Sequence, residues 1–354
     1  MKKNFLLYLL VMALPITFFS ACGDNDDDKD NGGTTPTWKD GVGAYKKETA
    51  SAILKIDGAE PESTKSVTLA AGTGDNAKIT LTNIVPDDAT VEFDNVEMKK
   101  TEANYTFSSE KTVGTTTISI SGTLSGIPAT KEAAVAKTLD IKVTRKIDSP
   151  IVGTWKLNFT ETGGGDVFFD VITGDPANDV LIPQLLGPAF GGMLAQKVTA
   201  VTASFTEAGI FDVTWVNLGE TESTGMPPTV KPMVGDIMYF VSEDQAFLAL
   251  KKTLIPVLQV LAEGFDIESL LASMIDKGDY VALPINITIA PAGVSFYLEK
   301  EMILKALPII VPMFAGLGEQ MPPELAAQIV PLLENLPEIV TNSEKFNVGM
   351  NFIK

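Results

Sequence analysis

Three residue types bound the chemistry open to this chain. Histidine is absent, cysteine occurs once, at Cys22, and arginine occurs once, at Arg145. Without histidine there is no Ser-His-Asp or Cys-His machinery and no imidazole metal site. No Gly-x-Ser-x-Gly elbow, phosphate-binding loop or dinucleotide fingerprint stands in a sensible context. A single arginine removes most chance of a bidentate clamp on phosphate or carboxylate. What remains is carboxylate, lysine and tyrosine chemistry. A glycosidase-like pair of acids is assembled in space rather than in sequence, so a carboxylate-based hydrolase stays open as a third reading. Most of the acids read more simply as solvated surface. Asp24, Asp26, Asp28 and Asp30 are spaced as in a calcium loop, but the glycine at the sixth position and the acid at the twelfth are missing. The sequence therefore predicts no catalytic residue, no metal site and no cofactor.

The elements that would position any chemistry begin with the N-terminus. Lys2 and Lys3 precede a nearly unbroken apolar run, Phe5–Phe19, interrupted by Pro15 and Thr17. It is too short for a comfortable membrane span and suits the apolar region of a signal peptide. The segment Phe19-Ser20-Ala21-Cys22 resembles the lipobox of bacterial lipoproteins. That resemblance implies a signal peptide at 1–21, cleavage before Cys22, lipidation of Cys22 and a membrane as partner through that lipid. Two or more acyl chains hold stably where one is marginal. The alternative, an ordinary secretory signal, leaves a lone thiol in an oxidising compartment.

Residues 22–44 read as the lipidated cysteine and an acidic tether, with five acids between Asp24 and Asp30. An acidic cluster behind the acylated cysteine resembles the surface-export signal of Bacteroidetes lipoproteins. It implies an outer-membrane protein exposed at the cell surface; a plain spacer, with the body facing the periplasm, is the alternative. The formal net charge of −18 disfavours nucleic acid and anionic lipid as partners.

The body reads as mainly β with inserted helices. Across 45–148, short alternating segments separated by turn residues predict an all-β sandwich or barrel. They are Ala52–Ile56, Ser66–Ala70, Lys78–Ile84, Thr90–Val96, Asn104–Phe107, Thr115–Leu124 and Leu139–Thr144. Asp148-Ser149-Pro150 marks a boundary. Over 150–354 the pattern predicts hairpins at 199–216, 236–251 and 280–299, and a last strand in which Phe346, Val348, Met350 and Phe352 alternate with polar or small residues. Apolar segments with helical spacing lie between them, near 180–194, 254–275, 302–317 and 323–340. Prolines such as Pro183, Pro308 and Pro331 predict short, jointed helices.

Gly153-Thr154-Trp155 opens this second half and resembles the first strand of lipocalin-like, or calycin, barrels. The whole plan is similar to two-domain lipocalin-like surface lipoproteins of Bacteroidetes. The resemblance implies that Gly153 and Trp155 form a structural motif, with the tryptophan packed across the closed end of a barrel or curved meander sheet. It is nearly silent on activity.

The abundance of uncharged apolar helix beside half-buried strands points first to a non-catalytic protein. Its expected partner is an apolar or amphipathic small molecule held by the C-terminal half. Met193, Met238, Met274, Met302 and Met313 are candidates to line that site, because methionine adapts to irregular apolar shapes; filling a core is the commoner use. A surface adhesion or glycan-binding module is the second reading. It would need exposed aromatics, for which Trp38, Tyr45, Tyr105 and Tyr297 are the candidates. The sequence does not name a protein or glycan partner.

Overall fold

A computed structural model of the chain describes residues 36–47, 52–86, 88–102, 104–127, 136–159, 164–222, 236–242, 245–256, 271, 274–315 and 323–354. The signal peptide expected at 1–21, Cys22 and the acidic run at 24–30 lie outside these residues, as does most of the apolar segment 254–275. Pro36–Lys354 forms one compact unit, mainly β with inserted helices.

The first nine strands are β1 (Gly43–Lys46), β2 (Ala52–Ile56), β3 (Ser66–Ala71), β4 (Ala77–Thr82), β5 (Thr90–Val96), β6 (Lys99–Lys100), β7 (Tyr105–Val113), β8 (Thr116–Ser125) and β9 (Lys137–Ile147). They make two sheets, ordered β1-β3-β4-β5 and β2-β9-β8-β7-β6. All pairings are antiparallel except β2 with β9. Period-two alternation decides which side chains enter the core. In β4, Ala77, Ile79 and Leu81 are buried while Lys78, Thr80 and Thr82 are not. One apolar cluster fills the space between the sheets, from Trp38 to Ile141. The arrangement is therefore a sandwich rather than a closed barrel.

Residues 38–44, which the sequence reading gives to the tether, belong to this sandwich. Trp38–Gly41 forms a single 3-10 turn and β1 follows. The Trp38 indole is buried and donates to the Asp75 carbonyl at 3.1 Å. Its apolar ring finds more contact in the core than a tether offers.

The second half carries β10 (Gly153–Leu157), β11 (Val167–Ile172), β12 (Val198–Phe205), β13 (Phe211–Asn217), β14 (Ile237–Ser242), β15 (Gln245–Lys251), β16 (Ile275–Lys277), β17 (Tyr280–Ala290), β18 (Gly293–Leu298) and β19 (Lys345–Ile353). The main path is β13-β12-β10-β19-β18-β17-β15-β14. Along it the last strand returns to the first, since Lys156 and Leu157 face Ile353 and Phe352. The result is an up-and-down, nearly closed eight-stranded barrel. Its weak seam lies between β13 and β14, joined by an Ile210–Met238 bridge and by the Tyr239 N–H donating to Gly209 at 2.8 Å. β11, not expected from the sequence, continues the path of β10 along the same edge of β19. Asn158 and Asn351 donate to the two Asp166 carboxylate oxygens at 3.0 Å and pin the detour between the two strands.

An up-and-down order puts alternate connections at opposite ends. Tight turns join β12 to β13, β14 to β15 and β17 to β18 at one end. At the other stand the long connections. One is helix α1 (Pro176–Ala195), between β11 and β12; another is the stretch containing β16. Between β18 and β19 come α2 (Lys300–Ala315), α3 (Pro323–Glu334) and α4 (Leu336–Asn342).

α1 corrects the expectation of jointed helices. It runs unbroken for 20 residues through Pro183 and Pro188. Asp175 caps its start by accepting from the Ala177 N–H at 3.0 Å. Its glycines let it sit directly on β11: a Cβ on Gly191 would stand 2.1 Å from the Gly165 carbonyl oxygen, and one on Gly187 would stand 2.9 Å from that of Val167. Such contact outweighs the local cost of the prolines. The break between α3 and α4 falls at Asn335, with proline in the first turn of α4, as the sequence leads one to expect.

Arg145 joins the halves. From β9 it donates to the carbonyls of Ala208 and Tyr239 at 3.2 and 3.4 Å and lies 5.2 Å over the Phe240 ring. Gly209 beside it has φ of +80°, and a Cβ there would meet the guanidinium at 1.6 Å. Glu62, Lys65, Lys251 and Asp279 make a second, more exposed link. Burial pushes the Glu62 carboxyl up, yet Lys65 and Lys251 outweigh this and hold it below its ordinary range.

Candidate ligand cavity

The concave face of the barrel is set by alternation. Trp155 and Leu157, Val294, Phe296 and Leu298, and Phe346, Val348, Met350 and Phe352 all point inward, as register requires. Toward the tight-turn end this face is solid. Phe205 stacks on Phe296 at 5.3 Å, Phe296 meets Phe352 edge-on at 5.3 Å, and Tyr239 meets Phe205 at 5.0 Å. Trp155 is buried in the same cluster, and its indole donates to the Ile151 carbonyl at 2.7 Å. Gly153 adopts φ of +142°, which few side chains tolerate, and lets the strand turn in over that ring.

Toward the helical end the barrel wall and the helices do not meet everywhere. Between them lies a cavity of about 470 Å³, within the range of small-molecule sites. The wall contributes Val167 and Phe169 from β11, Leu283 and Ile285 from β17, Phe296 and Leu298 from β18, and Phe346, Val348 and Met350 from β19. The roof contributes Phe190 and Leu194 from α1, Ile303 from α2 and Leu336 from α4. Behind the roof, Ile182, Leu186, Ile329, Leu332 and Val340 form the buried core of the helical layer. Phe169 braces roof against wall, edge-on to Phe190 at 5.3 Å and to Phe346 at 6.2 Å.

No charged residue lines the cavity among the described residues. Tyr297 is at its edge, but it stands on the opposite face of β18 from Phe296, with its ring 6.3 Å from that of Phe168. Polar groups gather on that outer face. Ser295 donates to the Asn351 side chain at 2.6 Å, and Lys345 meets Asp170 at 2.5 Å. The hydrogen bond to Asp170 raises the Lys345 pKa. The sheet is thus apolar inside and polar outside.

The methionine candidates are scattered. Met193 is half-buried on α1 against the helical core. Met238 is buried on the outer side of the wall with Phe240 and Phe247, next to the groove where Arg145 crosses. Met274 is half-buried just before β16, and Met302 is buried on α2. The Met313 side chain lies outside the described residues. None of the four described lines the cavity; Met350 does. The sequence names Met350 as one of an inward row, and that row, rather than residue type, is the signal that finds the lining.

The aromatic candidates for a glycan platform are not assembled. Trp38, Tyr45 and Tyr105 are buried in the sandwich, and the Tyr45 hydroxyl donates to the Gly41 carbonyl at 2.5 Å. Among the described residues no group of three or more acids stands together as a metal site would require. No described helix is long and apolar enough to cross a membrane. Comparison with protein-family models, curated proteins and solved structures finds no match for this chain.

Proposed function

We propose that this protein binds an apolar or amphipathic small molecule inside its barrel and does no chemistry on it. The observation that carries the reading is the cavity itself. It is concave, roofed by dedicated helices and lined by aliphatic and aromatic side chains, at the end of the barrel where all the long connections gather. A catalytic site needs groups that accept or donate protons or hold charge, and among the described residues the lining brings only the Tyr297 hydroxyl, at its edge. The likeness of the sequence to lipocalin-like surface lipoproteins of Bacteroidetes bears on address rather than activity. With it comes the proposal that the chain is a cell-envelope lipoprotein, held through lipid on Cys22 and displayed at the outer surface.

The test uses the compact unit, residues 36–354, expressed in bacteria, purified and extracted with organic solvent. Mass spectrometry of the extract is expected to find a stoichiometric apolar compound. Alternatively, an emptied protein takes up a neutral fluorescent dye such as N-phenyl-1-naphthylamine at one site. A folded protein whose extract is empty and which takes up no dye would sink the proposal. Metabolic labelling with a fatty acid, lost in Cys22→Ala, tests the anchor separately.

A further inference from the structure

We infer that the cavity selects ligands whose polar end is uncharged, such as alcohols, esters or glycerides, over fatty acids of the same chain length. This rests on the cavity being a ligand site. A carboxylate brought into an apolar enclosure must find a positive partner or several hydrogen-bond donors. Among the described residues the lining offers no cation and, at its edge, the single Tyr297 hydroxyl. Apart from the Tyr297 phenol at the edge and the Met350 thioether, its side chains are hydrocarbon, and the backbone of β18 and β19 beneath it is committed to ladder pairing from Gly293–Ile353 through Leu298–Val348.

Of the cations on the neighbouring elements, Lys305 of α2 is exposed and outside the lining, and the others that stand nearest are engaged elsewhere. Lys345 meets Asp170 on the outer face of the sheet. Lys300 donates to the carbonyls of Thr341 and Ser343 at 2.9 and 2.5 Å, tying the start of α2 to the end of α4. Arg145 lies at the joint with the sandwich. The chain as a whole carries a formal charge of −18, which repels an anionic head even at the mouth. A hydrocarbon chain enters, and a neutral head stays at the rim.

The rim also supplies the test. Met350 lines the cavity yet is 39% exposed, so a lysine placed there can keep its ammonium in water while its stem covers the wall. The emptied unit 36–354 is loaded with N-phenyl-1-naphthylamine at pH 8, and the dye is displaced with dodecanol or with laurate. Dodecanol is expected to displace it at a concentration about tenfold or more below that of laurate, a difference worth about 1.4 kcal/mol. Met350→Lys is expected to improve laurate at least several-fold and to close most of that gap. Laurate matching or beating dodecanol on the unsubstituted protein overturns the inference while leaving the ligand site standing. So does a ratio that Met350→Lys does not move. Failure of a folded protein, checked by circular dichroism, to take up the dye overturns both readings together.

Discussion

In the sandwich, Ile79, Leu81 and Phe93 from one sheet meet Ile118, Ile120 and Leu139 from the other, and all six are buried almost completely. In the barrel, Leu283, Ile285 and Val348 hold equally inward positions on their strands and stay only half-buried. The residues are of the same kind; the architecture differs. Two sheets packed face to face interdigitate across about 10 Å and leave nothing between them. An eight-stranded barrel is just wide enough to be filled by side chains or to keep one small ligand. In this barrel aromatic rings fill the tight-turn end, and helices bridge over space at the other. A core and a container can thus be built from one aliphatic vocabulary, depending on what faces what.

The largest test of that contrast is truncation. Phe93→Ala removes a ring from the sandwich core and is expected to cost about 3–5 kcal/mol in denaturant unfolding, while dye uptake by the molecules that remain folded is unchanged. Leu283→Ala enlarges space that is already open. It is expected to cost clearly less, since the half-buried leucine has fewer contacts to lose. Equal costs would mean that the barrel interior is as tightly packed as the sandwich.

A second test compares the halves through pH. Burial pushes the hydroxyls of Tyr45 in the sandwich and Tyr239 in the barrel up to about 12. For Tyr239, Arg145 pulls downward and Glu207 pushes upward, and burial is the largest influence. The unfolded chain releases these protons near pH 10, whereas the folded chain holds them to about 12. The stability each contributes is therefore complete below pH 10 and is lost as the pH climbs toward 12, at about 1.4 kcal/mol per unit for each group. Thermal melts from pH 9 to 12 are expected to show falling stability. A flat profile would contradict the burial of both rings.

The joint gives the third test. Gly209→Val places a branched side chain at φ of +80° and into the Arg145 guanidinium. Backbone strain alone is expected to cost about 1–3 kcal/mol. If Arg145 couples the halves, unfolding of the variant followed separately by Trp38 and Trp155 fluorescence resolves into two transitions. One shared transition would mean that the exposed cluster around Glu62 and Lys65 suffices.

Much of this architecture is legible in the sequence because alternation writes it there. The row Phe346, Val348, Met350 and Phe352 predicts the inner face of β19, and Ile79 with Leu81 predicts the sandwich core. β11 escapes because Val167-Phe168-Phe169 is apolar on both faces: Phe169 points inward while Phe168 packs with Tyr297 outside. The continuity of α1 escapes because tertiary contact through Gly187 and Gly191 overrides what Pro183 and Pro188 say locally. The cavity cannot be read at all. It is a space left between Leu283 and Phe190, residues distant in the chain, and no residue type marks a place where packing stops. Looking for methionine therefore finds gap-fillers such as Met193 and Met302, not the lining.

The smallest stability effect carries the most information about function. Leu81→Trp in the sandwich must force a large ring into a space with no room, which is expected to cost 3 kcal/mol or more, since overpacking a filled core typically costs about 1–3 kcal/mol for far smaller insertions. Leu283→Trp adds the same bulk where about 470 Å³ stands open. Its expected change in unfolding free energy is about 1 kcal/mol or less, because apolar surface gained offsets rotamer strain. Dye uptake, by contrast, is expected to fall several-fold or more, since the indole projects into the cavity and takes part of its space. A large cost at both positions would make the cavity a packed interior, and a small cost with intact uptake would move the dye to another surface. Only the pairing of near-native stability with reduced uptake separates a container from a core.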